Sequence, residues 1–215
     1  NDCFIDETLF DYVEFLSDNQ HFTVMSEKDG WAHLYLYKMD GSLYKQVTKG
    51  EFDLTALNGI DVKNKKVYYT SAEPMPYQRT VYEISWDGKN KKQLSTRTGS
   101  NSVVFSSDYS WYFISFSNST TPSMTELYNG KHELVRTVDD GKKMADKMSA
   151  YKFNTKEFFS YKNTEGTLLY GYLIKPADFD PSKKYPVLLT QYSGPNSQSA
   201  FDRWGLSWDN YMAQN

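Results

Sequence analysis

The chain has 215 residues, with 24 Lys plus Arg against 27 Asp plus Glu and a formal net charge of −3. That length gives a prior of one to two domains and enough chain to bury a sizeable core. The charge balance lends no support to nucleic-acid binding, which leaves a basic footprint, and is not acidic enough for a disordered tail.

The 18 Tyr, 13 Phe and 5 Trp are spread along the chain, so global disorder is rejected. The longest near-apolar stretch, Leu168–Ile174, falls far short of the roughly 20 residues that span a bilayer. No signal peptide is legible, and the start at Asn1 rather than Met leads to the expectation of a processed or truncated product. Cys3 is the one cysteine, which excludes an internal disulfide and any multi-cysteine metal site.

From the N-terminus the chain repeats. Phe15, Ile60 and Phe105 lie 45 residues apart, and seven residues after each comes a second apolar or aromatic position: Phe22, Val67 and Tyr112. Asp18, Asn64 and Asp108 stand between the members of each pair, where a turn is expected. The segments Phe22–Ser26, Val67–Ser71 and Tyr112–Phe116 are rich in β-branched and aromatic residues, which suit a pleated strand.

A second landmark repeats in step. Tyr35–Gly41 ends in Asp40-Gly41 and is followed by Gln46-Val47-Thr48. Forty-seven residues on, Tyr82–Gly88 ends in Asp87-Gly88 and is followed by Gln93-Leu94-Ser95. Asp-Gly between two strand-like runs predicts a hairpin with a type I′ turn. Asn129-Gly130 is a weaker third copy. These observations predict a mainly β chain with about three four-stranded antiparallel blades of a β-propeller. An irregular β-sandwich is the competing reading, and two landmarks in step argue against it. Propellers typically close with 4–8 blades, so three copies imply that others are supplied from elsewhere.

After Asp140 the repeat stops. Phe158–Tyr161 and Leu168–Ile174 are predicted to form a hairpin around Asn163–Gly166. Pro176, Pro181 and Pro186 punctuate a loop, and Val187–Tyr192 is predicted as a short buried strand broken by Ser193-Gly194-Pro195-Asn196. Trp204, Trp208 and Tyr211-Met212 recur at helical spacing. The order strand, loop, helix after a β-repeat predicts the opening strands and first helix of an α/β domain, with residues 1–150 forming a partial propeller and 151–215 an incomplete second domain.

Local catalytic motifs are scarce. No two of the 12 glycines lie within four residues of each other, which excludes dinucleotide-binding glycine loops and any Gly-x-Ser-x-Gly nucleophile elbow. His21, His33 and His132 are too far apart in sequence to form a local zinc pair. His33, in an alternating run, is expected to be a packed or hydrogen-bonded strand residue, and His132 a solvated residue after a turn. Asp139-Asp140 before Gly141 is expected to serve turn geometry. The clusters Lys63-Lys65-Lys66 and Lys89-Lys91-Lys92 are expected to solubilise turns and discourage edge pairing. No metal or cofactor is expected.

Ser26–Tyr37, Gln46–Glu51, Lys184-Tyr185-Pro186-Val187 and Tyr192-Ser193-Gly194-Pro195 together resemble bacterial dipeptidyl peptidase IV-like enzymes of the prolyl oligopeptidase family. The likeness runs from about Phe10 to the end, and the Tyr-x-Gly-Pro segment is its most specific part. It implies an eight-bladed propeller capping an α/β-hydrolase domain, with this chain as the last three blades and the hydrolase entry. It also implies a serine exopeptidase that removes Xaa-Pro or Xaa-Ala dipeptides from free N-termini, a homodimeric parent and a periplasmic or exported location.

The Ser–Asp–His triad would then lie beyond Asn215, and the carboxylates that hold the substrate amine before Asn1, so these 215 residues alone are expected to be inactive. Tyr192 matches the family tyrosine whose hydroxyl helps form the oxyanion hole, with Ser193 where relatives often carry Gly or Ala. The alternatives are a propeller that binds peptides or proteins beside a vestigial hydrolase part, or a sibling oligopeptidase or acylaminoacyl peptidase.

Overall fold

The computed structural model describes residues 9, 12–152, 154–192, 194 and 197–214. Cys3 and Phe10 lie outside the described residues, as do Ser193, Pro195 and Asn196 of the loop after Tyr192.

Three four-stranded antiparallel sheets follow one another along the chain, each with its strands in sequence order. The first holds β1 (Glu14–Phe15), β2 (His21–Ser26), β3 (His33–Lys38) and β4 (Leu43–Gln46). The second holds β5 (Leu54–Asp61), β6 (Lys66–Ser71), β7 (Thr80–Ser85) and β8 (Lys92–Gln93), and the third β9 (Ser100–Phe105), β10 (Trp111–Ser117), β11 (Met124–Asn129) and β12 (Leu134–Asp139). These are the expected propeller blades, and the repeated landmarks have a direct structural meaning. Phe15 faces Phe22, Ile60 faces Val67 and Phe105 faces Tyr112, each pair directly opposed across the first hairpin of its blade.

The turns share one geometry, though not the type I′ form expected. Gly41 and Gly88 have φ of 82° and 75°, while Asp40 and Asp87 are not in the left-handed region. Each turn closes from the glycine N–H to the carbonyl three residues back, Lys38 or Ser85. The aspartate instead uses its carboxylate to accept from the N–H two residues on, at 2.8 Å for Ser42 and 3.0 Å for Lys89. This pairing of a right-handed turn with one left-handed residue is the common three-residue hairpin loop.

In the third blade the equivalent bond runs from His132 N–H to the Asn129 carbonyl, and His132 takes the left-handed conformation at φ 66°. The third copy therefore aligns His132, rather than Gly130, with Gly41 and Gly88. In the β1–β2 and β9–β10 turns, Asp18 and Asp108 accept from backbone N–H groups as expected. In the middle blade that role falls to Asp61, which accepts from Asn64.

Burial explains why the blades associate. One apolar cluster joins Met25, Leu34, Leu36 and Val47 of the first blade to Ile60, Val67, Tyr69, Tyr82, Ile84 and Trp86 of the second. Another joins Tyr68, Val81 and Leu94 of the second to Val103, Tyr112 and Ile114 of the third. Alternate residues of β6 thus serve opposite faces, as the two-residue period of a strand requires. The middle blade is buried on both faces. The third has an open one, where Val104, Trp111 and Phe113 are exposed.

After the blades come α1 (Lys142–Met148), β13 (Glu157–Lys162), β14 (Leu168–Leu173) and α2 (Trp208–Met212). The β13–β14 hairpin forms as expected, closed from Gly166 N–H to the Asn163 carbonyl. Helix α2 starts at Ser207, whose hydroxyl accepts from Asp209 N–H while Asn210 Oδ1 accepts from Ser207 N–H, a reciprocal cap. Trp204 stands before this helix rather than in it.

The predicted buried strand at 187–192 is neither paired nor buried among the described residues. No strand pairing involves it among the described residues, and Val187 and Leu189 are 81% and 82% exposed. A strand exists only where a neighbour takes up its backbone groups, and no described segment lies alongside to do so.

Candidate functional site

Tyr192 ends that extended run and is 71% exposed. Its ring lies over Gly194, where a β-carbon would come 2.8 Å from the Tyr192 hydroxyl oxygen. The Ser197 hydroxyl lies 2.6 Å from the Gly194 carbonyl and 3.2 Å from that of Tyr192. Upstream, the Tyr185 hydroxyl accepts from Asp180 N–H at 3.0 Å, and the Tyr185 ring packs on Phe179.

Gln198, Asp202 and Trp204, just downstream, seat the loop on the blades. The Gln198 amide donates to the Pro76 carbonyl at 2.8 Å and accepts from the Arg79 guanidinium. Asp202 is buried: its N–H donates to the Tyr77 carbonyl at 2.9 Å, and its carboxylate accepts from Ser119 N–H at 2.8 Å. Trp204 N–H reaches the Ser117 hydroxyl. Arg79 lies over the Phe201 ring with its guanidinium carbon 4.8 Å from the ring centre, and burial holds it below its ordinary pKa.

Residues 72–79, between β6 and β7, form the platform. Tyr77 stacks on Phe158 of β13 at 4.5 Å and meets Tyr170 of β14 edge-on. Burial is also the chief cause that lowers the Lys156 pKa, with Arg203 adding to it, and this ammonium donates to the Phe201 carbonyl. Tyr77, Arg79, Gln198 and Asp202 were not singled out in the sequence. Only the run Pro74-Met75-Pro76-Tyr77, unusual between two strands, could have marked the platform.

The histidines take structural places. His33 is fully buried, with Nδ1 3.1 Å from the Thr48 hydroxyl and Nε2 3.0 Å from the Gly50 carbonyl, as a packed strand residue should be. The solvated placement expected of His132 is corrected. Its side chain is largely buried between the second and third blades, with Nε2 3.3 Å from Glu83 and Nδ1 3.2 Å from the Tyr112 hydroxyl. The left-handed turn places it there, and burial lowers its pKa.

Asp139 and Asp140 accept from Gly141 and Lys142 N–H groups, which is turn chemistry. Among the described residues no serine is hydrogen-bonded to a histidine, and no group of three His, Cys, Asp or Glu could hold a metal ion. No helix among them is long and apolar enough to cross a membrane.

Residues 3–123 match the family model described as the dipeptidyl peptidase IV N-terminal region. Dipeptidyl peptidase 4 of Arthroderma otae is 33% identical over 208 residues, covering 94% of this chain and 27% of that protein. Dipeptidyl peptidase 4 of Trichophyton rubrum is 32% identical over 221 residues, covering 98% and 28%. The crystal structure of Porphyromonas gingivalis dipeptidyl peptidase 4 superposes with a TM-score of 0.91 at 38% identity, covering 99% of this chain and 30% of that one. A putative dipeptidyl aminopeptidase IV from Bacteroides ovatus superposes with a TM-score of 0.78 at 25% identity. The chain thus spans under a third of the length of these relatives.

Proposed function

The chain belongs to the dipeptidyl peptidase IV family, and from that premise we propose that it is part of a serine-type exopeptidase that removes Xaa-Pro or Xaa-Ala dipeptides from free peptide N-termini. Its blades would form part of the propeller. Residues 151–215 would open the α/β-hydrolase domain, with the exposed run 187–192 pairing into a sheet completed by the rest of the protein. Tyr192 would donate from its hydroxyl to the oxyanion of the tetrahedral intermediate. The proton stays on the phenol, and the hydrogen bond strengthens as negative charge develops on the carbonyl oxygen. The triad would lie in the remainder of the protein, and the 215 residues alone would be inactive. A homodimeric parent and a periplasmic or exported location belong to the same reading.

The observation that carries the proposal is the seating of the Tyr192 loop. The carboxylate and backbone N–H of Asp202 and the amide of Gln198 tie the segment after Tyr192 to two blades. A donor on an anchored loop is held where charge will develop, without reorganising at the moment of reaction.

The test is hydrolysis of a Gly-Pro chromogenic amide by the full-length protein, with the 215-residue chain as control. Tyr192→Phe should lower kcat by roughly 10²–10³ with little change in KM, the loss typical of one oxyanion donor. An unchanged kcat would refute the role of Tyr192. Activity from the 215 residues alone would refute the placement of the triad, and silence of the full-length protein would refute the exopeptidase reading.

A further inference from the structure

Half-buried cations in this chain are mostly paired. Lys66 meets Glu83 at 2.9 Å, Arg97 meets Glu126 at 2.6 Å and Lys175 meets Glu157 at 2.6 Å. Arg79 and Lys156 are half-buried too, yet neither forms an ion pair among the described residues, and nor does the exposed Arg203. These three gather in one place. The guanidinium carbons of Arg79 and Arg203 lie 4.8 and 4.7 Å from the centre of the Phe201 ring. Lys156 donates to the Phe201 carbonyl at 3.1 Å. Burial lowers the pKa of both Arg79 and Lys156, and in each the charge of Arg203 acts in the same direction. Asp53 opposes the shift at Arg79, and Asp202 and Asp209 oppose it at Lys156.

Those carboxylates are engaged by other groups. Asp202 accepts from Ser119 N–H, Asp53 from Ala32 N–H and Asp209 from the Ser207 hydroxyl. Two of the cations are held in place. Arg79 donates to the Pro76 and Gln78 carbonyls and to Gln198, and Lys156 to the Phe201 carbonyl. Arg203 differs: it is exposed, lies over the Phe201 ring, and its guanidinium donates to no group among the described residues. Like charges held together disfavour one another's charged forms, and an anion that joins them removes that cost. A guanidinium seated on a ring face keeps its N–H edge free for a carboxylate.

We propose that Arg203, backed by Arg79 and Lys156, binds a carboxylate on the leaving part of the peptide substrate, so that the full-length enzyme prefers peptides with an acidic residue shortly beyond the scissile bond. The proposal rests on the exopeptidase reading, in which Tyr192 marks the scissile carbonyl. Successive contacts join the cluster to Tyr192: the Ser197 hydroxyl lies 3.2 Å from the Tyr192 carbonyl, and the neighbouring Gln198 accepts from Arg79. On that reading only a dipeptide precedes the scissile bond, and its amine is held by groups outside this chain. What extends past the Tyr192 loop toward Arg203 is therefore the leaving peptide. A carboxylate there would take two parallel hydrogen bonds from one guanidinium, with two further cations close by.

The test measures kcat/KM of the full-length protein for C-terminally amidated Gly-Pro peptides that carry Glu or Gln at successive positions after Pro. At one position or more the Glu peptide should be cleaved about tenfold better than its Gln counterpart, chiefly through KM. The gap should narrow as salt rises. Arg203→Gln should bring the Glu-to-Gln ratio to about one, and Arg203→Lys, which keeps the charge without the fork, should retain part of the preference. The ratio is taken within one enzyme preparation, so a partly unfolded variant does not alter it. Equal cleavage of Glu and Gln peptides at every position, or a preference that survives Arg203→Gln, would overturn the proposal and leave the exopeptidase reading standing. Silence toward every Gly-Pro substrate would overturn both.

Discussion

Gly59→Ala tests how the second and third blades are coupled. The register of β5 against β6 shifts between Leu57 and Gly59, and the next N–H, that of Ile60, donates to the Tyr109 hydroxyl of the third blade at 3.0 Å. Tyr109 reaches it from a left-handed turn position at φ 57°, with its ring stacked on Tyr68. A β-carbon at 59 would sit 2.7 Å from Tyr109 Cε1 and 2.8 Å from its hydroxyl oxygen, so the ring must give way.

Losing the acceptor of a buried N–H costs about 1–3 kcal/mol. The stiffer unfolded chain offsets about 0.4–1 kcal/mol, because Gly59 has no positive φ to strain. The net expectation from these two effects is a loss of about 1–2 kcal/mol. Tyr109→Gly removes the ring and relieves the left-handed backbone. In that background Gly59→Ala should change sign and stabilise by about 0.4–1 kcal/mol. Urea unfolding of the four proteins, followed by tryptophan fluorescence, gives the cycle. Equal destabilisation by Gly59→Ala in both backgrounds would refute the coupling.

Burial lowers the pKa of His132, with Lys92 and Lys66 acting in the same direction and Glu83 against them. The folded state therefore prefers the neutral ring, and stability should fall as pH drops through the ordinary histidine value of about 6.5. In scans of thermal midpoint against pH, His132→Gln should lose less between pH 7 and 5 than the parent does. An identical slope would count against the placement. Asp202→Ala strips the acceptor from Ser119 N–H and should cost about 1–3 kcal/mol, whereas Asp202→Asn keeps an acceptor and should cost less. Hydrogen exchange should rise in 117–121 and 198–204 for the alanine variant only, and uniform exchange across both variants would contradict the anchoring role.

The blades were legible because the signal was local. Strand composition and the paired positions Phe15/Phe22, Ile60/Val67 and Phe105/Tyr112 are set by the two-residue period and by hairpin closure, which act over a few residues. What depended on distant partners was not. Val187–Tyr192 has strand composition, yet composition cannot supply a neighbour. His132 follows a polar turn, but only the left-handed backbone shows that it folds inward against Glu83. Helix α1 escaped because Lys142–Met148 buries nothing and so writes no apolar stripe. Tyr192 stood out through resemblance alone, and the platform that seats its loop comes from residues more than 100 positions away in sequence.

The alternation along β6 has a consequence for how such a chain can change length. Val67 and Tyr69 belong to one apolar cluster, and Tyr68 between them to the other. Inserting or deleting a single residue there would exchange the side chains of two cores at once, placing each in a cavity shaped for the other. Adding or removing a whole four-stranded unit leaves every such alternation intact. The tolerated step of growth or loss is therefore the blade, about 45 residues, by the spacing of Phe15, Ile60 and Phe105.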